Sequence, residues 1–448
     1  MATSTRYGAL DIAVTSSFRT TWTDRGSKAH KDFSAHLPVI PLLAFLGGFR
    51  ILGHVGRPNH DDLGEKFAVV TARGANPAHE LLKAPVDFEM IWRDKGSGAK
   101  QNGSVWRPIP PAGYVALSDV WNDSWDKPLT STFACVRKTA VNGHTYVREG
   151  VIGPQTWEDR NSGADQNCSV WPIRTPTYPL DSTERLLLDV GGLVANASWD
   201  RPNRTVYVLD LPAVVVKKNP APTPVQTSYD FPEPRETLKV LDRQVTVPCT
   251  VVSDPGKTPA WQVENSPFYT MERRTSFYAH MHNHNQTQEP QNPGQEVTTG
   301  VSTAKSEEFS QKTSVTVTAK AGIEIKGLSA GIETSVAQEL GYSTRTEVSY
   351  FQENKFTWTL NTAPGTAAIA WSPRHDIRAV RADGDPVGQA ALSFDIESRT
   401  YTQYPPAGDG VGQGGILVNG TADTSGDLAP FGPVENNLPD DTTGLIIP

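Results

Sequence analysis

The chain has 448 residues, 41 basic and 49 acidic, for a formal net charge of −8. That length predicts two or three domains, each able to bury its own core, and an acidic balance without any basic run excludes nucleic acid as an expected partner. With 37 Gly, 35 Pro and no long helical pattern, an all-β protein is favoured, and Cys135, Cys168 and Cys249 are too few and too scattered for a disulfide framework.

No nucleophile elbow, metalloprotease helix motif, phosphate loop or paired-cysteine metal site occurs in the sequence. A non-enzymatic protein with no cofactor and no metal centre is therefore expected. The first residues lack the basic-then-apolar layout of a signal peptide, and no apolar run approaches the roughly 20 residues of a transmembrane helix. The expectation is synthesis as a soluble cytoplasmic protein, release, and approach to any target-cell membrane from solution.

Residues 1–213 contain one unit three times. Trp22-Thr23-Asp24-Arg25-Gly26-Ser27-Lys28-Ala29 returns as Trp92-Arg93-Asp94-Lys95-Gly96-Ser97-Gly98-Ala99 and as Trp157-Glu158-Asp159-Arg160-Asn161-Ser162-Gly163-Ala164. Each copy leads to a second element (49–55, 114–120, 186–190) and a third (67–70, 133–136, 206–209). Three copies of several short strands predict a pseudo-threefold, β-prism-like head in which each unit buries one sheet face against the other two. The loops after each tryptophan need a residue tolerant of positive φ, which alone accounts for them as turns. Asp and Ser beside an indole also suit a sugar, offering acceptors for hydroxyls and a π face for the ring. Trp22, Asp24, Trp92, Asp94, Ser97, Trp157, Asp159 and Ser162 are thus candidate receptor-binding residues, with glycan as one ligand and a purely structural turn as the alternative.

The second copy continues Gln101-Asn102-Gly103-Ser104-Val105-Trp106-Arg107-Pro108-Ile109-Pro110-Pro111-Ala112-Gly113-Tyr114, and the third Gln166-Asn167-Cys168-Ser169-Val170-Trp171. Together with Phe133-Ala134-Cys135-Val136-Arg137-Lys138 downstream, this wording resembles the vacuolar protein sorting-associated protein 62 family of plants and fungi over most of residues 15–212. That family has no assigned biochemical role, so its name carries over no function. The first copy departs from the pattern, with His36-Leu37-Pro38 where the second has Trp106-Arg107-Pro108.

Prolines and the lack of alternation over 214–236 predict a semi-stiff linker. In residues 237–399, strands are expected at 238–252 and 268–285, Ser/Thr-rich strands at 296–314 and 339–356, and two more strands over 355–371 around Pro364-Gly365. Between the Ser/Thr-rich runs lies an amphipathic hairpin. Apolar residues occupy odd positions going in (Val315, Val317, Ala319, Ala321, Ile323, Ile325) and even positions coming out (Leu328, Ala330, Ile332, Val336). A two-residue turn at Lys326-Gly327 puts Ile325 opposite Leu328, Ala321 opposite Ile332 and Val317 opposite Val336. The other face carries Thr316, Thr318, Lys320, Glu324 and Glu333, with Lys320 against Glu333. An ordinary half-buried hairpin is the alternative. Against it stand the small apolar side chains and a strand about as long as the roughly 9 to 11 residues that cross a bilayer in a β-barrel.

This pattern, a small amphipathic hairpin between Ser/Thr-rich strands followed by a strand, a Pro-Gly turn and another strand, resembles the aerolysin family of β-pore-forming toxins over roughly residues 230–400. The resemblance implies an elongated β domain, a separate receptor-binding head, assembly into a homo-oligomeric ring and conversion of the hairpins into a transmembrane barrel. The apolar set would then face lipid and the polar set the pore lumen. His280, His282 and His284 share one face of a strand, as a solvated edge, a protonation switch or, least suited by spacing, a metal site. Residues 400–448, acidic and Gly-rich without Lys or Arg, read as a disordered tail or a removable propeptide in which 416–418 and 445–447 could add strands to an open edge. The function expected is a pore-forming toxin, insecticidal or defensive, acting on a surface receptor and a target-cell membrane. The alternative is a lectin-like binding protein whose β-rich second half only oligomerises.

Overall fold

The computed structural model describes residues 3–63, 67–176, 185–252, 254–318, 322–326, 333–337, 340–342, 347 and 349–406. The protein is all-β, built from antiparallel sheets. In the head, each repeat contributes a sheet that begins at its tryptophan motif. These sheets are Phe18–Thr23 with Ser34–Pro38 and Val55–Arg57, Asp87–Arg93 with Ser104–Ile109 and Val120–Asn122, and Trp157–Glu158 with Ser169–Arg174 and Leu193–Asn196. Their inner residues form a tryptophan core of Trp22, Trp92, Trp121 and Trp157 with Phe33 and Cys168. A second set of three sheets, one per repeat, contains Leu10–Thr15, Cys135–Arg137 and Tyr207–Pro212. It packs an aliphatic core that runs on into the second half through Val245, Val247 and Tyr269. The Tyr7 hydroxyl donates to the Thr246 carbonyl (3.1 Å) across that junction.

The head core closes because residue volumes compensate between repeats. Paired positions on neighbouring strands hold Ala35 and Gly56 in the first, Val105 and Trp121 in the second, and Val170 and Ala195 in the third. Trp121 stacks on Trp22 at 5.1 Å. Gly103 makes room for it, since a Cβ there would lie 2.1 Å from the Trp22 ring.

The second half is organised by a six-stranded sheet around two long central strands, Phe268–His284 and Ala367–Val380. Val240–Pro248 lies beside the first, while Leu392–Asp395 and Thr400–Tyr404 pair with the second. Val214–Lys217, at the start of the expected linker, pairs with Val240–Pro248 and forms the sheet's edge. Likewise Thr400–Tyr404, expected at the start of the tail, is a strand of this sheet. The tail segments 416–418 and 445–447 lie outside the described residues.

A separate two-stranded ribbon, Gly294–Thr299 with Asn354–Thr359, is joined by residues 300–353. After the short helices α1 (Leu42–Leu46) and α2 (Pro259–Asn265), the Ser/Thr-rich run expected to continue as strand instead forms helix α3, Thr303–Thr313. Ser302 caps it, accepting from the Lys305 N–H at 3.3 Å, and Ser306, Phe309 and Thr313 make its buried face. Lys312 and Glu308 pair one turn apart on the outside (2.6 Å). Strand propensity of the Ser/Thr composition is overridden by this cap and helical spacing.

Candidate functional site

The eight candidate receptor residues of the head are all buried. They close a ring. The Trp22 indole N–H donates to Asp94 Oδ2 (3.0 Å), Trp92 to Asp159 Oδ2 (3.2 Å) and Trp157 to Asp24 Oδ2 (3.1 Å), so each repeat's indole is held by the next repeat's carboxylate. Backbone bonds run the same circuit, from Lys100 N–H to Arg25 O, Asp165 N–H to Lys95 O and His30 N–H to Arg160 O. The second carboxylate oxygens take Trp125 on Asp94 (2.7 Å), Trp199 on Asp159 (2.8 Å) and His60 on Asp24. Ser97 and Ser162 accept the N–H of Ala99 and Ala164, both at 3.1 Å.

The expected sugar site is therefore corrected. Trp22, Asp24, Trp92, Asp94, Trp157 and Asp159 tie the three units together, Ser97 and Ser162 close their own turns, and all eight are buried. A buried carboxylate is tolerated only when several donors reach it. Asp159 has three, from Trp92, Trp199 and the Cys168 N–H, and burial still holds its carboxyl above the usual range. Asp24, Asp32 and His60 bring ligand atoms within 4.8 Å of one another. Both Asp24 oxygens are already occupied, and Asp32 faces the opposite ring nitrogen of His60 (3.8 Å), so the trio belongs to the ring.

The expected hairpin register is also corrected for this state. Val315–Thr318 pairs with Gly322–Lys326, with Val315 opposite Ile325 and Val317 opposite Ile323. Glu333–Ser335 adds a third strand, with Ile325 opposite Thr334 and Lys326 opposite Glu333. Chain reversal thus falls after Thr318, because this pairing lets a three-stranded sheet lie under α3. Val315, Ile323 and Val336 are fully buried there with Phe309 and Leu340. Ala319, Lys320, Ala321, Leu328, Ala330 and Ile332 lie outside the described residues. Among the described residues no helix is long and apolar enough to cross a membrane.

Several contacts hold residues 300–353 in place, including the backbone bond from the Gly300 N–H to the Asp395 carbonyl (2.8 Å). Gly300 leaves the ribbon at φ +82, and a Cβ there would lie 1.9 Å from the Gln352 carbonyl oxygen. At the other end, the Tyr342 hydroxyl bonds Nδ1 of His375 (2.7 Å) on the central sheet, and burial holds His375 well below the ordinary imidazole range. Nothing in the sequence spacing announces that latch. The His280, His282 and His284 trio is divided among separate partners. His280 bonds Ser372 Oγ (2.8 Å) and lies 3.4 Å from Asp395, His282 bonds the Tyr229 carbonyl (2.7 Å), and His284 stacks on Tyr229.

Residues 240–377 match the insecticidal crystal toxin P42 family. This match takes in Val240–Pro248, Phe268–His284, the ribbon and residues 300–353. Residues 2–183 of the head match the family described as vacuolar protein sorting-associated protein 62. Among solved structures, GNIP1Aa from Chromobacterium piscinae aligns with TM-score 0.34 and 22% identity over 44% of this chain. This chain spans only 34% of that protein's length. Cry35Ab1 aligns with TM-score 0.33 and 11% identity, covering 90% of this chain and 91% of its own. No curated protein matches the sequence.

Proposed function

We propose that the protein is a β-pore-forming toxin that meets a target-cell surface through its head, assembles with copies of itself and opens residues 300–353 into a membrane-spanning hairpin. It acts without a chemical step. The observation that carries this reading is a register. In the ribbon, Gly294 pairs with Thr359 and Thr299 with Asn354. Continuing that ladder without a bulge brings Lys320 opposite Glu333 and Ile325 opposite Leu328, and it ends in a two-residue turn at Lys326-Gly327. The apolar alternation leads independently to the same turn.

The two arrangements also agree on faces. Moving the partner of Ile325 from Thr334 to Leu328 is an even slip, so the odd residues of the incoming strand and the even residues of the outgoing strand stay together. The ribbon already follows this parity, with Val297 and Trp358 on its buried side. Val315, Ile323 and Val336 exchange a protein core for lipid, and Thr316, Thr318, Lys320, Glu324 and Glu333 face the lumen.

Dye release from liposomes tests the reading. Val317→Asp puts a charge on the lipid face, where a charge costs up to about 2–4 kcal/mol near the midplane and less for Asp than for Arg or Lys, and should abolish release. Thr318→Asp should be tolerated. Equal release by both variants would refute the assignment.

A further inference from the structure

The first repeat differs from the second in a loop that the ring does not use. Between Pro41 and Phe49 the chain runs through residues 42–48, where the second repeat has only Ala112 and Gly113 between Pro111 and Tyr114. The extra residues form helix α1, Leu42–Leu46, which has no buried residue. Leu42, Leu43 and Leu46 are 71%, 74% and 71% exposed, and Val39 is exposed beside them.

The helix is held from behind. Arg50 donates to the Phe45 and Phe49 carbonyls (2.9 and 2.8 Å) and lies over the Phe45 ring at 4.4 Å. Among the described residues no carboxylate pairs with Arg50. A cleft of about 550 Å³ opens beside α1, lined by Gly47, Arg50, Arg73 and Lys83 with Glu80. Arg73 is paired with Asp11 (2.6 Å) and Lys83 with Glu80 (3.0 Å), so Arg50 is the lining cation left without a carboxylate among the described residues, and the uncharged stretch 39–48 projects its leucines next to it.

We propose that α1 docks the head onto a phospholipid bilayer, with Leu42, Leu43 and Leu46 in the acyl boundary and anionic headgroups at the Arg50 cleft. A protein partner fits less well. A stable protein interface needs about 800 Å² on each side, far more than one projecting turn supplies, whereas a bilayer accepts a small convex apolar tip with cations at its base. The proposal rests on the pore-forming reading only for why a bilayer is met.

The test is flotation of full-length protein with vesicles of phosphatidylcholine alone or with phosphatidylserine added. The wild type should bind both, and more tightly when phosphatidylserine is present. The double variant Leu42→Gln/Leu43→Gln, or Leu46→Gln alone if the double variant misfolds, should keep the wild-type melting temperature and bind about tenfold or more weakly. Val317→Asp should float like wild type while releasing no dye, which separates docking from insertion. Unchanged flotation of the leucine variants would overturn the proposal. So would a wild-type dimer that these variants dissociate without lipid, since α1 would then be a contact between copies. Indifference to phosphatidylserine would overturn the headgroup assignment.

Discussion

The tryptophan ring and the segment between Gly300 and Gln352 bury their apolar side chains under opposite constraints. In the ring, Trp22, Trp92 and Trp157 each give the indole N–H to a carboxylate from a different repeat. In the segment, small and β-branched side chains on short strands can be satisfied by two pairings that share the same faces. Polar satisfaction of large buried groups specifies one arrangement, whereas alternation alone fixes a face and leaves an even slip open. The head is therefore specified in one arrangement, whereas the segment, on the proposed reading, is compatible with two.

The largest expected effect is in the ring. Trp92→Ala removes an indole packed 5.5 to 6.0 Å from Trp22, Trp121 and Trp157. It should cost about 3–5 kcal/mol, read by chemical denaturation, and should lower dye release along with stability. Phe309→Ala, on the buried face of α3, should cost about 3 kcal/mol but act with the opposite sign on function, speeding release by weakening the folded-away form. Release that slows in both variants would erase the distinction between the two regions.

Acidification should act on both regions. Burial pulls His36 down to about 4 and His54 to about 3, and it holds His375 well below its ordinary value of 6.5. Below pH 6.5 the unfolded chain takes protons at these imidazoles that the folded chain refuses. Stability should be level above that pH and fall by about 1.4 kcal/mol per histidine per pH unit between 6.5 and roughly 4.5. His375→Gln should remove one third of that slope. The smallest structural effect is at the expected lumen pair. Lys320→Glu or Glu333→Lys should shift the reversal potential of the channel while leaving the melting temperature of the soluble protein unchanged.

Much of this was legible in the sequence. The three tryptophan units, the long strand at Phe268–His284 and the Pro364-Gly365 turn follow from repetition, alternation and turn chemistry. The role of the Asp and Ser residues was not. A turn that presents Asp beside Trp looks the same whether the carboxylate faces a ligand or a tryptophan more than 60 residues away in sequence, and that partnership is set only by closure of the threefold. Helix α3 was hidden by Ser/Thr composition, although Ser302 and the Glu308–Lys312 spacing signal it locally. The register at Lys326-Gly327 fits the continuation of the ribbon and not the folded-away sheet, because alternation reports which residues share a face and is silent on which of two compatible partners they take.

Two cysteine pairs that share position 333 test the central claim most directly. Cys135, Cys168 and Cys249 are buried, and burial pushes the thiols up to about 12 at Cys135 and Cys249 and well above the usual range at Cys168, so they will not compete for oxidation. Lys326 and Glu333 are opposite each other in the soluble protein, close enough for a disulfide. Lys326→Cys/Glu333→Cys should therefore cross-link in solution and, once cross-linked, release no dye until reduced. Lys320→Cys/Glu333→Cys should remain reduced in solution and cross-link only on vesicles, in step with dye release. Cross-linking of the 320/333 pair in solution, or pores that form with the 326/333 bridge intact, would contradict the account.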